Sequence, residues 1–408
     1  MEAGISSSME ATTRKQGLRG PVAAALVAAA FLVTMLGATL PTPLYPLYEA
    51  ELGFGGVMVT LIFAAYAVGV AAALIFTGRL SDQIGRRAVL LPGLLLAVIS
   101  SAVFLIPDSV TALFVGRVLS GLSAGIFTGT ATAMLVDLAP PGKQARYSLL
   151  AACVNMLGLG LGPVVAGALA EYAPLPLDLP YLVHIGLVLV TAVGLWFVAE
   201  PVELSGGPVH WAPQRLGVPP EVRGVFVRAA IAGFAGFAVL GLFTAVSPSF
   251  VAQVLRIDDH LVTGLVVFTL LGASTIGQVA SSRLAERPAL LVGSAGLVVG
   301  VLVVGLSVAT ASLGLLVAGA AVAGVGQGMS FRAGLGAVNA GTPAARRSEV
   351  ASSFFLVLYV AISIPVIGEG IASAAFGLVP AAVAFSVIVA VIAAVAFVSL
   401  VFQREPAR

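Results

Sequence analysis

The chain alternates between long apolar runs and short polar interruptions. Twelve runs are predicted as helices: roughly 21–47, 55–78, 88–106, 110–137, 147–170, 180–199, 224–247, 260–281, 288–309, 312–337, 349–376 and 379–402. They approach or exceed the about 20 apolar residues that a helix needs to cross the hydrocarbon core of a bilayer. Turn and charge signals separate them, among them Gly85-Arg86-Arg87, Ile106-Pro107-Asp108, Pro140-Pro141-Gly142-Lys143, Glu286-Arg287-Pro288 and Thr342-Pro343. The joints at 309/312 and 376/379 are tight.

Composition agrees with immersion in lipid. Hydrophobic residues are 59% of the 408, charged residues 9%, and the mean hydropathy is +1.10. A soluble domain carries roughly 25% charged residues to cover its surface, so most of this surface faces something other than water. Glycine is abundant, at 47 residues, as expected where membrane helices approach closely. The one cysteine, Cys153, excludes an internal disulfide framework. Arg14, Lys15 and Arg19 precede an apolar run too long for a signal-peptide core, so that run is expected to act as an uncleaved anchor.

Basic residues set the expected orientation. With residue 1 in the cytoplasm, 17 of the 20 Lys and Arg fall in cytoplasmic segments, one (Arg256) on the far side, and two (Arg117, Arg332) within spans. The positive-inside rule then places both termini in the cytoplasm of a bacterial-type inner membrane. The expected organisation is a tail at 1–20, a six-helix bundle at 21–200, a cytoplasmic linker at 201–223, a second six-helix bundle at 224–402 and a tail at 403–408. The two halves repeat at a steady offset of 203–205: Thr42-Pro43-Leu44-Tyr45 matches Ser247-Pro248-Ser249-Phe250, Arg79-Leu80-Ser81-Asp82 matches Arg283-Leu284-Ala285-Glu286, Gly121 and Gly125 match Gly324 and Gly328, Pro140 matches Pro343, and Gly167 matches Gly370. Duplicated halves of this kind hold their binding site at the repeat interface near the midplane.

Three strings carry more specific signals. The loop after the second span reads Gly78-Arg79-Leu80-Ser81-Asp82-Gln83-Ile84-Gly85-Arg86-Arg87. Gly78 permits close helix approach, Asp82 suits a helix N-terminus, and Gly85 permits a tight turn. The fourth span contains Gly116-Arg117-Val118-Leu119-Ser120-Gly121, with Arg117 about 12 Å below the outer end at the helical rise. A charge at that depth is a functional candidate, with snorkelling to the interface as the alternative. The fifth span contains Gly158-Leu159-Gly160-Leu161-Gly162-Pro163-Val164-Val165-Ala166-Gly167. Its glycines open a packing face, and Pro163 removes a backbone bond and is expected to bend the helix. Leu40-Pro41-Thr42-Pro43-Leu44-Tyr45-Pro46 is expected to loosen the outer end of the first span.

Together these strings resemble the signatures of the major facilitator superfamily, over nearly the whole chain. The resemblance implies an all-α integral membrane fold: twelve transmembrane helices in two pseudo-symmetric bundles. It implies that Asp82 caps the eleventh span near Ser348. It also implies that Asp82, Arg86 and Asp137 form a charge cluster, with Gly78, Gly85 and Arg87 shaping this cytoplasmic gate. The second copy of the loop keeps Glu286 and Arg287 but lacks the glycine turn. The resemblance links Arg117 to proton transfer. The string Gly158, Gly162, Pro163, Gly167 resembles an antiporter motif, although Ala166 stands where a glycine is usual.

No carboxylate lies between Arg19 and Glu49, where many related exporters carry one, so the proton-coupling candidates are Arg117, Glu369, Asp137 and His184. Satisfied or interfacial roles compete for His184, Glu369 and Arg332. Cavity candidates are the amides Asn155, Gln278 and Gln327, which need partners in lipid, and the aromatics Phe63, Tyr66, Phe331, Phe355 and Tyr359. No phosphate loop or metal-ligand spacing is present. The expectation is therefore a non-enzymatic, cofactor-free secondary transporter. It would act as a monomer that uses a proton gradient to expel amphipathic small molecules by alternating access, as a multidrug or metabolite antiporter, with no nucleic-acid partner. The alternatives are a proton-coupled nutrient symporter and, further off, a membrane receptor, channel or enzyme.

Overall fold

A computed structural model describes residues 17–78, 80–106, 109–202, 213–343 and 346–402. Its twelve long helices are α1 Gly20–Leu52, α2 Gly56–Thr77, α3 Arg86–Phe104, α4 Val110–Asp137, α5 Gln144–Tyr172, α6 Leu179–Trp196, α7 Pro220–Ala245, α8 His260–Ser281, α9 Glu286–Thr310, α10 Leu313–Gly341, α11 Arg347–Phe376 and α12 Leu378–Val401. Residues 1–16, 79, 107–108, 203–212, 344–345 and 403–408 lie outside the described residues.

Local chemistry accounts for the ends. The side chains of Ser109, Asp259 and Ser312 accept the backbone N–H three residues on and so cap α4, α8 and α10. The prolines of α1 do not end it. Thr42–Leu44 tightens into a 3₁₀ turn and the helix resumes over Tyr45–Leu52, stopping at Gly53 with φ +69°. Pro163 is likewise absorbed without a break in α5.

Packing is the same in both halves. In the first, α1 lies against α5 and α6, α4 against α2 and α3, and α3 against α6. In the second, α7 lies against α11 and α12, α10 against α8 and α9, and α9 against α12. Each pair is the other advanced by six helices. The most extensive contacts between the bundles are α2 with α11 and α5 with α8, and these also exchange under the same operation. The matching glycines explain why. Gly121 and Gly125 of α4 sit on the backbone of α2 at Tyr66 and Val70, while Gly324 and Gly328 of α10 sit on the backbone of α8 at Leu270 and Ser274. Large apolar side chains such as Val190, Ile276 and Ile364 point outward, 71%, 65% and 63% exposed, where a bilayer takes the place of water.

Twelve crossings return the chain to the face on which it began. That face is called here the terminal side, and the other the far side.

Candidate functional site

On the far side the bundles touch through glycine. Gly167 of α5 lies on the backbone of His260 and Leu261, and Gly264 of α8 on the backbone of Pro163 and Val164. By symmetry Gly370 of α11 lies on Thr60 of α2. The Glu171 carboxylate accepts the His260 backbone N–H at 3.0 Å and lies 3.4 Å from its imidazole Nδ1. This end is closed.

On the terminal side the bundles part around a cavity of about 810 Å³, within the range of small-molecule sites. Its walls come from α4, α5, α8, α10 and α11 and include Thr128, Asn155, Gln278, Arg332, Asn339 and Phe355. Asp137, Glu286 and Arg347, at the terminal ends of α4, α9 and α11, stand at its mouth. At its apex a small chamber of about 30 Å³ is walled by Phe63, Tyr66, Phe237, Phe331, Phe355 and Tyr359, with Arg117, Thr128, Asn155 and Met156. Thr128, Asn155, Phe331 and Phe355 line both spaces.

Arg117 is 2% exposed. Its Nη1 donates to the Ala38 carbonyl at 2.5 Å, and its guanidinium lies 4.7 Å from the Tyr66 ring and 5.5 Å from the Phe63 ring. Cation–π contact offsets part of the desolvation, yet Nε has no partner. Beside the chamber, at Thr128, α4 loosens. Residues Phe127–Ala131 form a π turn, a feature often found at functional sites. Thr128 within it faces the same chamber as Tyr359 of α11, across the bundle interface.

The sequence-predicted residues divide as follows. Phe63, Tyr66, Phe331, Phe355 and Tyr359 all reach the chamber, Asn155 lines both spaces and Gln278 the larger one. Gln327 does not line either space; its Oε1 accepts from Ser274 Oγ at 2.5 Å in the second bundle. His184 is held within the first bundle, Nδ1 with Ser101 Oγ at 2.7 Å and Nε2 with the Val33 carbonyl at 3.1 Å. Glu369 is 4% exposed, accepts from Ser373 Oγ at 2.7 Å, and lines neither space.

The loop cluster forms, with one difference. Arg86 pairs with Asp82 at 2.6 Å and with Asp137 at 3.0 Å, but Asp82 is 62% exposed and no described bond joins it to α11. The linker occupies that place. Gln214 donates its backbone N–H to the Ile75 carbonyl at 2.7 Å and its side-chain amide to Ser348 Oγ at 3.0 Å, bridging α2 to the start of α11 with the bundles parted. Gly85 takes φ +102°, and the Glu200 carboxylate accepts the backbone N–H groups of Arg86 and Arg87, each at 2.9 Å. Glu200 thus caps α3; the positive φ required at Gly85 is the one local signal that pointed there. Arg87 donates to the carbonyls of Trp196 and Val198. In α5, Gly158 and Gly162 seat on α1 at Leu32 and Leu36, and Thr39 Oγ1 of α1 donates to the Leu159 carbonyl at 2.7 Å. Pro163 strands that carbonyl, so the glycine seam and the proline act as one joint.

A central cavity between two pseudo-symmetric six-helix bundles, closed at one end and open at the other, is the architecture of a membrane transporter. A family model of the Major Facilitator Superfamily matches residues 27–364, and the chain belongs to that superfamily. It is similar to the quinolone resistance protein NorA of Staphylococcus aureus, 32% identical over 142 residues, which is 35% of this chain and 36% of NorA. It is also similar to an uncharacterised transporter of the superfamily from Mycobacterium tuberculosis, 30% identical over 35% of this chain and 20% of that one. The aligned stretch therefore spans about a third or less of these relatives. Among solved structures, a bacterial homologue of the human lysosomal transporter Spinster, inward-facing and unoccupied, superposes with TM-score 0.76 at 15% identity, covering 95% of this chain and 99% of that one. Its occupied inward-facing form gives TM-score 0.70. At that identity the likeness is one of fold.

Proposed function

We propose that this transporter expels amphipathic small molecules in exchange for protons, from an inner membrane in which both termini are cytoplasmic. The observation that carries the reading is the joint between α1 and α5, where Gly158 and Gly162 of an antiporter-like string seat on α1 and Thr39 donates to the carbonyl that Pro163 leaves free, beside an aromatic chamber holding Arg117. Partial identity to NorA, whose name records quinolone resistance, supports export. With the termini in the cytoplasm, the open cavity faces the cytoplasm, where an exporter loads. Arg117, which the family resemblance links to proton transfer, is the coupling residue in this reading, and the Asp82–Arg86–Asp137 cluster is the terminal-side gate.

The test is dye retention. Cells producing the transporter should hold less of an amphipathic fluorescent dye than cells without it, and a protonophore should abolish the difference. A solute that instead concentrates inward with the proton gradient would replace export with symport. Arg117→Ala should leave transport insensitive to external pH; an unchanged pH profile removes the coupling role.

A further inference from the structure

We infer that the substrates are amphipathic organic anions, an aromatic or apolar body bearing a carboxylate or similar group, with Arg332 as the residue that receives the charge. This deepens the transport reading and rests on it, since it takes the terminal-side cavity as the substrate site.

The charges in that cavity are unevenly placed. Two guanidinium groups reach its interior, Arg117 at the apex and Arg332 in the wall formed by α10. Among the described residues, ion pairs join Arg86 to Asp82 and Asp137, His260 to Glu171, and Arg346 to Glu349, so neither interior arginine has a carboxylate partner. Arg117 is buried with one carbonyl and two ring faces, and its Nε bonds to nothing. A buried guanidinium with only partial negative charge around it favours whatever brings a full one.

Carboxylates line the cavity only at its mouth, as Asp137 and Glu286, and Asp137 is already engaged by Arg86. Glu369 is turned away against Ser373. Further in, the polar lining is neutral: Thr128, Asn155 and Gln278, the last 0% exposed with both amide atoms unpartnered. Low-dielectric walls lined by one sign of charge focus the field on ions of the other sign. A lipophilic cation entering this space meets no counter-charge beyond the mouth. An anion meets Arg332, whose planar fork matches a carboxylate in two hydrogen bonds, and feels Arg117 behind it. The aromatic body has its place against Phe331 and Phe355, which line both the wide cavity and the chamber above it.

Fluorescein and rhodamine 123 are xanthene dyes of similar size and opposite charge at pH 7.4. Equilibrium anisotropy with the purified full-length transporter in detergent should show fluorescein bound about tenfold or more tightly than rhodamine 123, the ratio expected from one charge-assisted contact. Arg332→Gln should remove that preference, and Arg332→Lys, which keeps the charge but loses the fork, should keep only part of it. Rhodamine 123 bound as tightly as fluorescein, fluorescein not bound, or a correctly folded Arg332→Gln variant with fluorescein affinity unchanged would each overturn the proposal. The wild-type preference needs no variant, so misfolding of Arg332→Gln leaves the test intact. Proteoliposomes under an imposed pH gradient separate the two readings. Fluorescein that is bound but not moved by protons refutes proton-coupled export and leaves the anion assignment standing. Rhodamine 123 moved by protons without fluorescein recognition does the reverse.

Discussion

Thr39→Val should destabilise the protein only because Pro163 is present. Pro163 has no N–H to offer the carbonyl four residues back, at Leu159. In lipid that carbonyl has no water to turn to. Thr39 Oγ1 reaches it at 2.7 Å from α1, through the gap that Gly162 leaves open against Leu36 and Thr39. Valine keeps the shape of threonine and removes the donor. Stranding a buried acceptor costs about 1–3 kcal/mol in soluble proteins, while interhelical bonds within bilayers average about 0.6 and reach about 1.7 kcal/mol. The membrane scale applies here, which sets the expected loss at about 1 kcal/mol. Pro163→Ala returns a backbone N–H to Leu159, so Thr39→Val in that background should cost close to nothing. The assay is reversible unfolding of the purified protein in bicelles, run as a double-mutant cycle. Equal costs of Thr39→Val with and without Pro163 would refute the argument, because the two side chains would then be independent.

Glu200→Ala should uncap α3 by about 1–2 kcal/mol, seen as faster hydrogen exchange at the Arg86 and Arg87 amides that Glu200 now holds at 2.9 Å. Unchanged protection there would mean that the cap contributes nothing. Asp82→Asn removes a 2.6 Å ion pair whose aspartate is 62% exposed; such pairs are worth about 0–1 kcal/mol, so the protein should remain folded while turnover in proteoliposomes falls. Full turnover would end the gating assignment. Gly370→Val drives a side chain into Thr60 on the far side and should part α11 from α2 there. In the Cys153→Ser background, a cysteine placed at Gln278 should then react more slowly with an impermeant maleimide from the terminal side, and Thr60→Gly should restore the rate. An unchanged rate in Gly370→Val would show that this contact does not hold the far side shut.

The spans were legible because an apolar run of membrane length has few other homes, and the boundaries of α4 and α8 coincide with the expected 110–137 and 260–281. The repeated glycines were legible for a related reason, as close backbone contact tolerates no Cβ. Hydropathy reports depth but not the direction a side chain takes around its helix, and successive residues turn by about 100°. Thus Arg332, for which the sequence leaves snorkelling open, faces the cavity, and Gln327, expected in the cavity, faces Ser274. The partners of His184 lie 83 and 151 residues away in sequence, and no local pattern encodes them. Glu200 and Gln214 read as linker polarity because their bonds, to the start of α3 and to Ser348, exist only once the bundles are assembled. The π turn at Phe127–Ala131 is one residue of extra winding, invisible to a count of apolar positions.

The duplication separates the moving parts from the recognising parts. Advancing a residue by 203 carries Gly121, Gly125 and Gly167 onto Gly324, Gly328 and Gly370, all glycines that seat backbone on a neighbouring helix. The same step carries Arg117 onto Ala320, and Arg332 returns to Gly129. Contact surfaces are thus shared between halves while the charges aimed into the cavity are not. A rocking motion needs the first kind of residue in both bundles, because each far-side contact must open together with its mate. Recognition of a substrate without twofold symmetry needs the second kind in one bundle at a time. Placing an arginine at Ala320, the mate of Arg117, should therefore disturb folding in the second bundle rather than create a second binding site, because Ala320 is fully buried within an apolar cluster. Unfolding of Ala320→Arg at lower denaturant, with dye selectivity unchanged in whatever fraction folds, is the expected result; a folded variant with altered charge preference would show that the two halves remain chemically interchangeable.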